Sequence, residues 1–214
     1  MCNRYTPPRP EELAQRFGRA IVNYPPGPIF PRAPGPFVRF DRERSPEIVV
    51  GQWGLVPWFA KAPRLPYSTN NARAEEVADK PSYKQSWARG QRCLIPAESF
   101  DEPCWESGIN QWWTFRRADR QPWWLAGLWN RWSDRASGEV VESYAMLTLN
   151  ADAHPLMSRM HKPDPRLLPD QQDKRSVIVV AEGDVDAWLG GTVEQADRLI
   201  KLSPVEIFDA APSQ

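Results

Sequence analysis

With 214 residues, 41% of them apolar and 25% charged, the chain can bury one ample core, and its composition excludes the disordered, fibrous and collagen-like classes. Its 27 basic and 27 acidic residues cancel, which argues against the whole-protein basic field behind tight non-specific duplex binding, though not against a local basic stripe. The longest apolar runs, such as Val177–Ala181, fall far short of the roughly 20 residues of a membrane span, and MCNRYTPPRP at the start has no apolar h-region, so a cytoplasmic protein is expected.

In chain order, PEELAQRF at Pro10–Phe17 predicts a short helix, with Pro at its start, acids in its first turn and Gly18 as its stop. The Pro-rich stretch Tyr24–Pro36 reads as an ordered surface loop. Phe37–Phe40 and Glu47–Trp53 read as a hairpin around Asp41–Pro46. The following GLVPWFA is too apolar for an exposed loop. TNNARAEEV (Thr69–Val77) predicts a turn running into a short helix, Pro81–Ala88 a second short helix, and Arg92–Pro96 a strand. Gln111–Arg116 and Trp123–Trp129 read as a hairpin across ADRQP, and Ser143–Asn150 and Arg175–Val180 as further β runs. Asp184–Leu189 and Val193–Ile200 read as short helices split by Gly190-Gly191, with Thr192 and Gln195 at capping-box spacing. Val205–Phe208 is expected as a last strand. The 23 prolines argue against a helical bundle. The sum is a single α+β domain over 1–214, β-rich, built of short, mostly antiparallel strands with a few short helices.

Several residues carry candidate chemistry. Met1 is normally removed before a small second residue, leaving Cys2 with an α-amine and a thiol, both partly deprotonated near neutral pH. A 1,2-aminothiol condenses with an aldehyde to an imine, and the thiolate then closes a five-membered thiazolidine. Position alone favours an incidental residue at a frayed terminus. Arg4 could lower the thiol pKa or hold an anion. Asn71 offers a donor and an acceptor together, although a turn role is the plainer reading. Glu98, Asp101 and Glu102 cluster, and in a strand Asp101 and Glu102 face opposite sides, so only one can enter a given site. His154 and His161 are the two histidines, either able to carry protons near neutrality. Trp53, Trp58 and Trp105 could stack on unpaired bases, though most of the 11 Trp belong in the core. Cys2, Cys93 and Cys104 lack C-x-x-C spacing and read as free thiols in a reducing compartment, with no metal site and no cofactor.

Individually these signals are weak. Taken in order, MCNRY, GQWGLVPW, NARAE, RCLIPAESF, AGLWNRW and TLNADAH…RMHKP resemble the abasic-site-processing (SRAP, SOS response-associated peptidase) domain family over roughly residues 1–208. The resemblance implies a β-rich fold with a positively charged groove and a barrel-like sheet. It also implies covalent capture of abasic sites in single-stranded DNA as a thiazolidine on Cys2, by a protein acting as a monomer, with lyase-type and autoproteolytic or peptidase activities besides. By the same resemblance Asn71 orients the amine and the sugar, Glu102 is the general acid/base, and His161, with His154 as the fallback, assists ring opening. Arg4, Arg73, Arg159 and Trp58 would hold the DNA. Three features depart from the family pattern: Asn3 stands for Gly, Ser99-Phe100-Asp101-Glu102-Pro103 for Gly-Phe-Tyr-Glu-Trp, and His161 follows Arg159-Met160 rather than preceding such a pair. The alternative is a cysteine-dependent peptidase or amidohydrolase using Cys2. A non-catalytic Trp-rich binding module is a third reading.

Overall fold

The computed structural model describes residues 2–134 and 136–213. The chain begins with β1 (Tyr5–Thr6), α1 (Pro10–Phe17), β2 (Pro34–Phe40), β3 (Pro46–Trp53), β4 (Asn71–Arg73) and α2 (Lys84–Ala88). It continues with β5 (Arg92–Ala97), β6 (Ser99–Cys104), β7 (Gln111–Arg117), β8 (Trp123–Ser133), β9 (Val140–Asn150), β10 (Arg175–Val177), α3 (Val185–Gly190), α4 (Val193–Asp197) and β11 (Phe208–Pro212). Single 3-10 turns lie at Ala74–Glu76, Met157–Arg159, Pro169–Gln171, Glu182–Asp184 and Val205–Ile207. None of the described helices is long and apolar enough to cross a membrane.

β9, β3, β2, β5 and β8 close into a ring, because β8 pairs back onto β9. Every pairing in the ring is antiparallel except β3 with β9, so this is a mixed five-stranded barrel. β4 takes over the β9 edge where β3 leaves it, running parallel to Met146–Thr148, and β10 pairs with the end of β9. The second sheet has the order β1-β6-β7-β11. Glu98 alone separates β5 from β6, so the chain steps straight from the barrel wall into the small sheet.

The two-residue period of the strands sorts the wall into two cores. Phe37, Trp53, Cys93, Ile95, Leu125, Tyr144 and Met146 share one cluster with Tyr5, Phe100 and Phe115, where the small sheet closes over the barrel interior. Their alternates Val38, Leu94, Trp124, Ala126, Ala145 and Leu147 face outward, under Leu13 of α1, Trp87 of α2 and Trp188 of α3. Strands buried on both sides are read in sequence as near-continuous apolar runs, as β8 and β9 are.

The expected helix at Pro10–Phe17 forms with those bounds. Glu12 accepts from the Arg9 backbone N–H and guanidinium, and Gly18 closes the helix at φ 61°. The hairpin of β2 and β3 and the Thr192/Gln195 capping box also form as expected. Three expectations are corrected. Gln111–Arg117 and Trp123–Ser133 are strands but not a hairpin: β6 and β11 occupy both edges of β7, and β5 and β9 both edges of β8, so neither has a free edge for the other. The two strands also differ in burial. Trp123 and Trp124 are both buried, as a barrel-wall strand demands, whereas β7 leaves one face to solvent. Asn71–Arg73 is a strand, with one 3-10 turn after it instead of a helix. After Pro204, Val205–Ile207 is likewise a 3-10 turn, and the last strand starts at Phe208. Of GLVPWFA, Leu55 and Val56 are buried, while Trp58 and Phe59 are exposed.

The barrel interior is tightest at Gly35. A Cβ there would lie 2.3 Å from the Tyr144 hydroxyl, 2.6 Å from that of Tyr5 and 2.7 Å from Ile29 Cδ1, and the two hydroxyls bond each other at 2.5 Å. Gly35→Ala should therefore cost about 1–3 kcal/mol by overpacking. Tyr144→Phe should cost about 1–3 kcal/mol by stranding the buried Tyr5 hydroxyl. Urea midpoints of the two single variants and the double variant test this. The double variant should be less destabilised than the sum, because removing one hydroxyl makes room for the methyl; strict additivity would mean the two groups do not compete for this space.

Candidate functional site

The N-terminal segment is built into the fold. β1 pairs with β6, Tyr5 N–H and Ile29 N–H exchange bonds with each other's carbonyls at 3.2 and 2.7 Å, and Asp101 N–H donates to the Arg4 carbonyl at 3.0 Å. Upstream of these ties, the Cys2 carbonyl oxygen accepts from Asn71 Nδ2 at 2.6 Å and from Asn70 Nδ2 at 3.4 Å. Cys2 is wholly buried, and its thiol points to the Arg4 carbonyl at 3.4 Å. The incidental, frayed-terminus reading of Cys2 does not fit this geometry.

Asn71 sits on β4, held opposite Met146 of β9, and its own carbonyl accepts from the Tyr83 hydroxyl. Its Oδ1 is buried with no hydrogen-bond partner among the described residues, an acceptor that costs free energy until a donor reaches it. Asn70, which the sequence reading passed over, shares the grip on Cys2. Its amide also bonds Asn3 Oδ1 at 3.0 Å, its carbonyl takes the Trp53 indole N–H, and Ser68 donates to its Oδ1. The one available signal was the doubled Asn70-Asn71 in a turn-like stretch. Asn3 is not among the positive-φ residues, so this position does not require glycine.

Glu102 and His161 meet. Glu102 Oε2 lies 2.8 Å from His161 Nε2, with the carboxylate side chain 1% and the imidazole 17% exposed. With the carboxylate ionised, Nε2–H donates to it. As expected for a strand, Asp101 faces the other way. It accepts from Thr114 Oγ1 at 2.6 Å and ion-pairs with Arg4 Nε at 3.0 Å. Pro103 sits on β6 opposite Trp112, beyond the part of the strand that β1 covers, so its missing N–H breaks no ladder bond on the open side. Its carbonyl accepts from His161 N–H at 2.6 Å. His154 is spent elsewhere: Nδ1 accepts from Leu156 and Met157 N–H, and Nε2–H donates to the Ser203 carbonyl at 2.8 Å.

Burial, and next to it the charge of Glu102, push the Cys2 thiol well above the ordinary thiol range. At neutral pH the sulfur is therefore a thiol, and any attack it makes needs a base to take its proton.

Of the four expected DNA contacts, Arg4 lies beside this cluster, its carbonyl facing the Cys2 thiol, and Arg159 lines one cavity with His161. Arg73 pairs with Asp173 and, at 3.6 Å, with Glu76. Arg159 makes a two-pronged pair with Glu106 at 2.7 Å and lies over Trp113. Trp58 is 61% exposed, edge-on to Phe59. Each of the three arginines thus already holds a carboxylate.

A family model described as SOS response associated peptidase (SRAP) matches residues 1–212. The abasic site processing protein HMCES of Xenopus tropicalis is 25% identical over 198 residues, covering 78% of this chain and 52% of that protein. The abasic site processing protein YobE of Bacillus subtilis is 30% identical over 128 residues, covering 58% of this chain and 55% of that protein. The chain spans about half the length of these curated relatives. A crystal structure of a Bordetella bronchiseptica protein superposes with a TM-score of 0.88 at 30% identity, covering 100% of both chains. Another, from Bacteroides thetaiotaomicron, gives 0.81 at 19% identity, covering 100% of this chain and 92% of that one, and so shares the fold.

Thiolate absorbance, taken as the difference between the wild type and Cys2→Ser, should place the Cys2 transition above the free-thiol value of about 8.5. Glu102→Gln should bring it down, since a neutral amide no longer opposes the thiolate. A transition unmoved by Glu102→Gln would separate the carboxylate from the thiol.

Proposed function

The chain belongs to the SOS response associated peptidase (SRAP) family, and from that premise we propose that it captures abasic sites in single-stranded DNA as a covalent adduct on Cys2. The observation that carries this reading is the double asparagine grip on the Cys2 carbonyl, beside the buried Glu102–His161 pair. It makes a terminal residue part of a built site.

Loss of Met1 frees the α-amine of Cys2, and the unsatisfied Oδ1 of Asn71 is an acceptor for its N–H. The amine nitrogen attacks C1 of the ring-opened sugar aldehyde, and the carbonyl oxygen takes up a proton. The carbinolamine then loses that oxygen as water, with a proton delivered by the Glu102–His161 pair. Sγ adds to the imine carbon while the thiol proton passes through Glu102 to the imine nitrogen. One C–N and one C–S bond form, one C=O is lost as water, and the product is a thiazolidine. The raised thiol pKa is why this last step requires Glu102 as base. His161 moves the proton of the sugar hydroxyl during ring opening. Arg4, Arg73 and Arg159 exchange their carboxylates for phosphates, and Trp58 stacks on an unpaired base.

Purified protein that intact mass shows to begin at Cys2, mixed with single strands bearing one abasic site, should give a band that survives heat and detergent. Undamaged strands and Cys2→Ala should give none, while binding of Cys2→Ala to undamaged strands persists. Glu102→Ala should slow the crosslink about 10²–10⁴-fold with DNA affinity retained. A crosslink that persists in Cys2→Ala would assign the chemistry to another nucleophile. Absence of any band would turn attention to amide hydrolysis by Cys2.

Three phosphate contacts at a slope of about −0.7 each predict log K against log salt falling with a slope of about −2 for single strands. A titration from low to moderate salt checks this, and a slope near zero would remove the arginines from the interface.

A further inference from the structure

His161 is one of the non-glycine residues in the left-handed region, at φ 61°. A side chain there is strained and persists only where its surroundings hold it. Three ties do so. The ring bonds Glu102, the backbone N–H bonds the carbonyl of the next residue on the same strand, Pro103, and the third tie is Lys174. Lys174 Nζ donates to the carbonyl of Met160 and to that of His161, each at 2.6 Å.

In an extended strand successive carbonyls point to opposite sides, so one ammonium could not take both. The left-handed turn at His161 brings them to the same side, and the lysine occupies the place where they converge. Lys174 is 6% exposed. Its own backbone is fixed by Asp152 Oδ1 on its N–H and by Ala151 N–H on its carbonyl, each at 2.7 Å. Burial draws its pKa below the ordinary lysine range, with the Asp152 charge opposing. Such a group is costly to bury for packing alone, and an apolar side chain of the same length would fill the space without that cost.

We propose that Lys174 is a positioning residue: by clamping the two carbonyls on either side of the His161 Cα it stabilises the left-handed backbone that aims the imidazole at Glu102. It acts through His161. The expected effect on the rate rests on the capture reading above; the effect on the ring does not.

With two histidines in the chain, Cε1–H resonances report on each separately, and His161→Gln assigns them by losing one. Lys174→Met should shift and broaden the His161 line while leaving that of His154 sharp and unmoved, with Tm lowered by no more than a few degrees. Crosslinking should slow at least about tenfold, with DNA affinity unchanged. Lys174→Gln, which keeps an N–H donor, should lie between. If Lys174→Met does not fold, Lys174→Gln is judged by the same criteria. A His161 line that superimposes on the wild type would overturn the proposal, as would lines that move together for both histidines. If wild-type protein makes no crosslink yet the His161 line still moves, the capture reading falls and the role of Lys174 stands.

Discussion

The carbonyl oxygen of Cys2 is the acceptor on which the placement of the site depends. The first residues of a chain fray unless something ties them down, and β1 alone, two residues long, would leave Cys2 beyond its hydrogen-bonded end. Two amides from Asn70 and Asn71 hold that oxygen, so the residue lies where the barrel fixes the asparagines. They in turn are fixed by β9: Met146 N–H donates to the Asn70 carbonyl, and Asn71 pairs with Met146 in the parallel ladder. The strand that closes the barrel is therefore the one that positions Cys2.

The Glu102–His161 pair arrives by a separate route. β5 belongs to the barrel and β6 to the small sheet, with one residue between them, so Glu102 is carried from the wall to the sheet that covers the interior. His161 comes from a segment with almost no regular structure and is bolted to β6 by an isolated bridge between Cys104 and Met160. Among the described residues, the hydrogen bonds that hold it are long-range or backbone-specific. Three pieces of chain that are remote in sequence meet because two sheets share one core: Tyr5, Phe100 and Phe115 of the small sheet pack in the same cluster as Trp53 and Tyr144 of the barrel.

That division explains what was legible in the sequence. Local chemistry could be read: Pro10, Glu12 and Gly18 bound a helix, and alternating residues marked strands. Glu102 and Asp101 were separable because a strand must turn neighbours to opposite faces. The pairing of strands was not readable. ADRQP has the composition of a hairpin turn, yet whether its flanking strands pair depends on which edges remain free, and that is settled by residues far away. Asn70 was missed for the same reason: nothing local distinguishes an asparagine that caps a turn from one that reaches to a chain terminus 68 residues earlier. The choice between His154 and His161 turned on a contact with Glu102 that spans 59 positions.

Zero net charge is compatible with the proposed DNA-facing role through local pairing. Arg4, Arg73 and Arg159 each rest on a carboxylate, so the surface carries cations without carrying a net positive field. Exchanging a carboxylate for a phosphate keeps the guanidinium satisfied in both states, and the two-pronged geometry with Glu106 is the same fork that a phosphate would occupy. The gain on binding is then modest for each arginine, because a partner is lost as one is found. On the proposed reading such a surface would hold undamaged strands weakly and release them. Under the proposed capture, discrimination falls instead on the Cys2 thiol and amine and the Glu102–His161 pair, which would respond to an aldehyde and to nothing in an intact strand. In the proposed capture such a site would search by weak contacts and commit by a covalent bond.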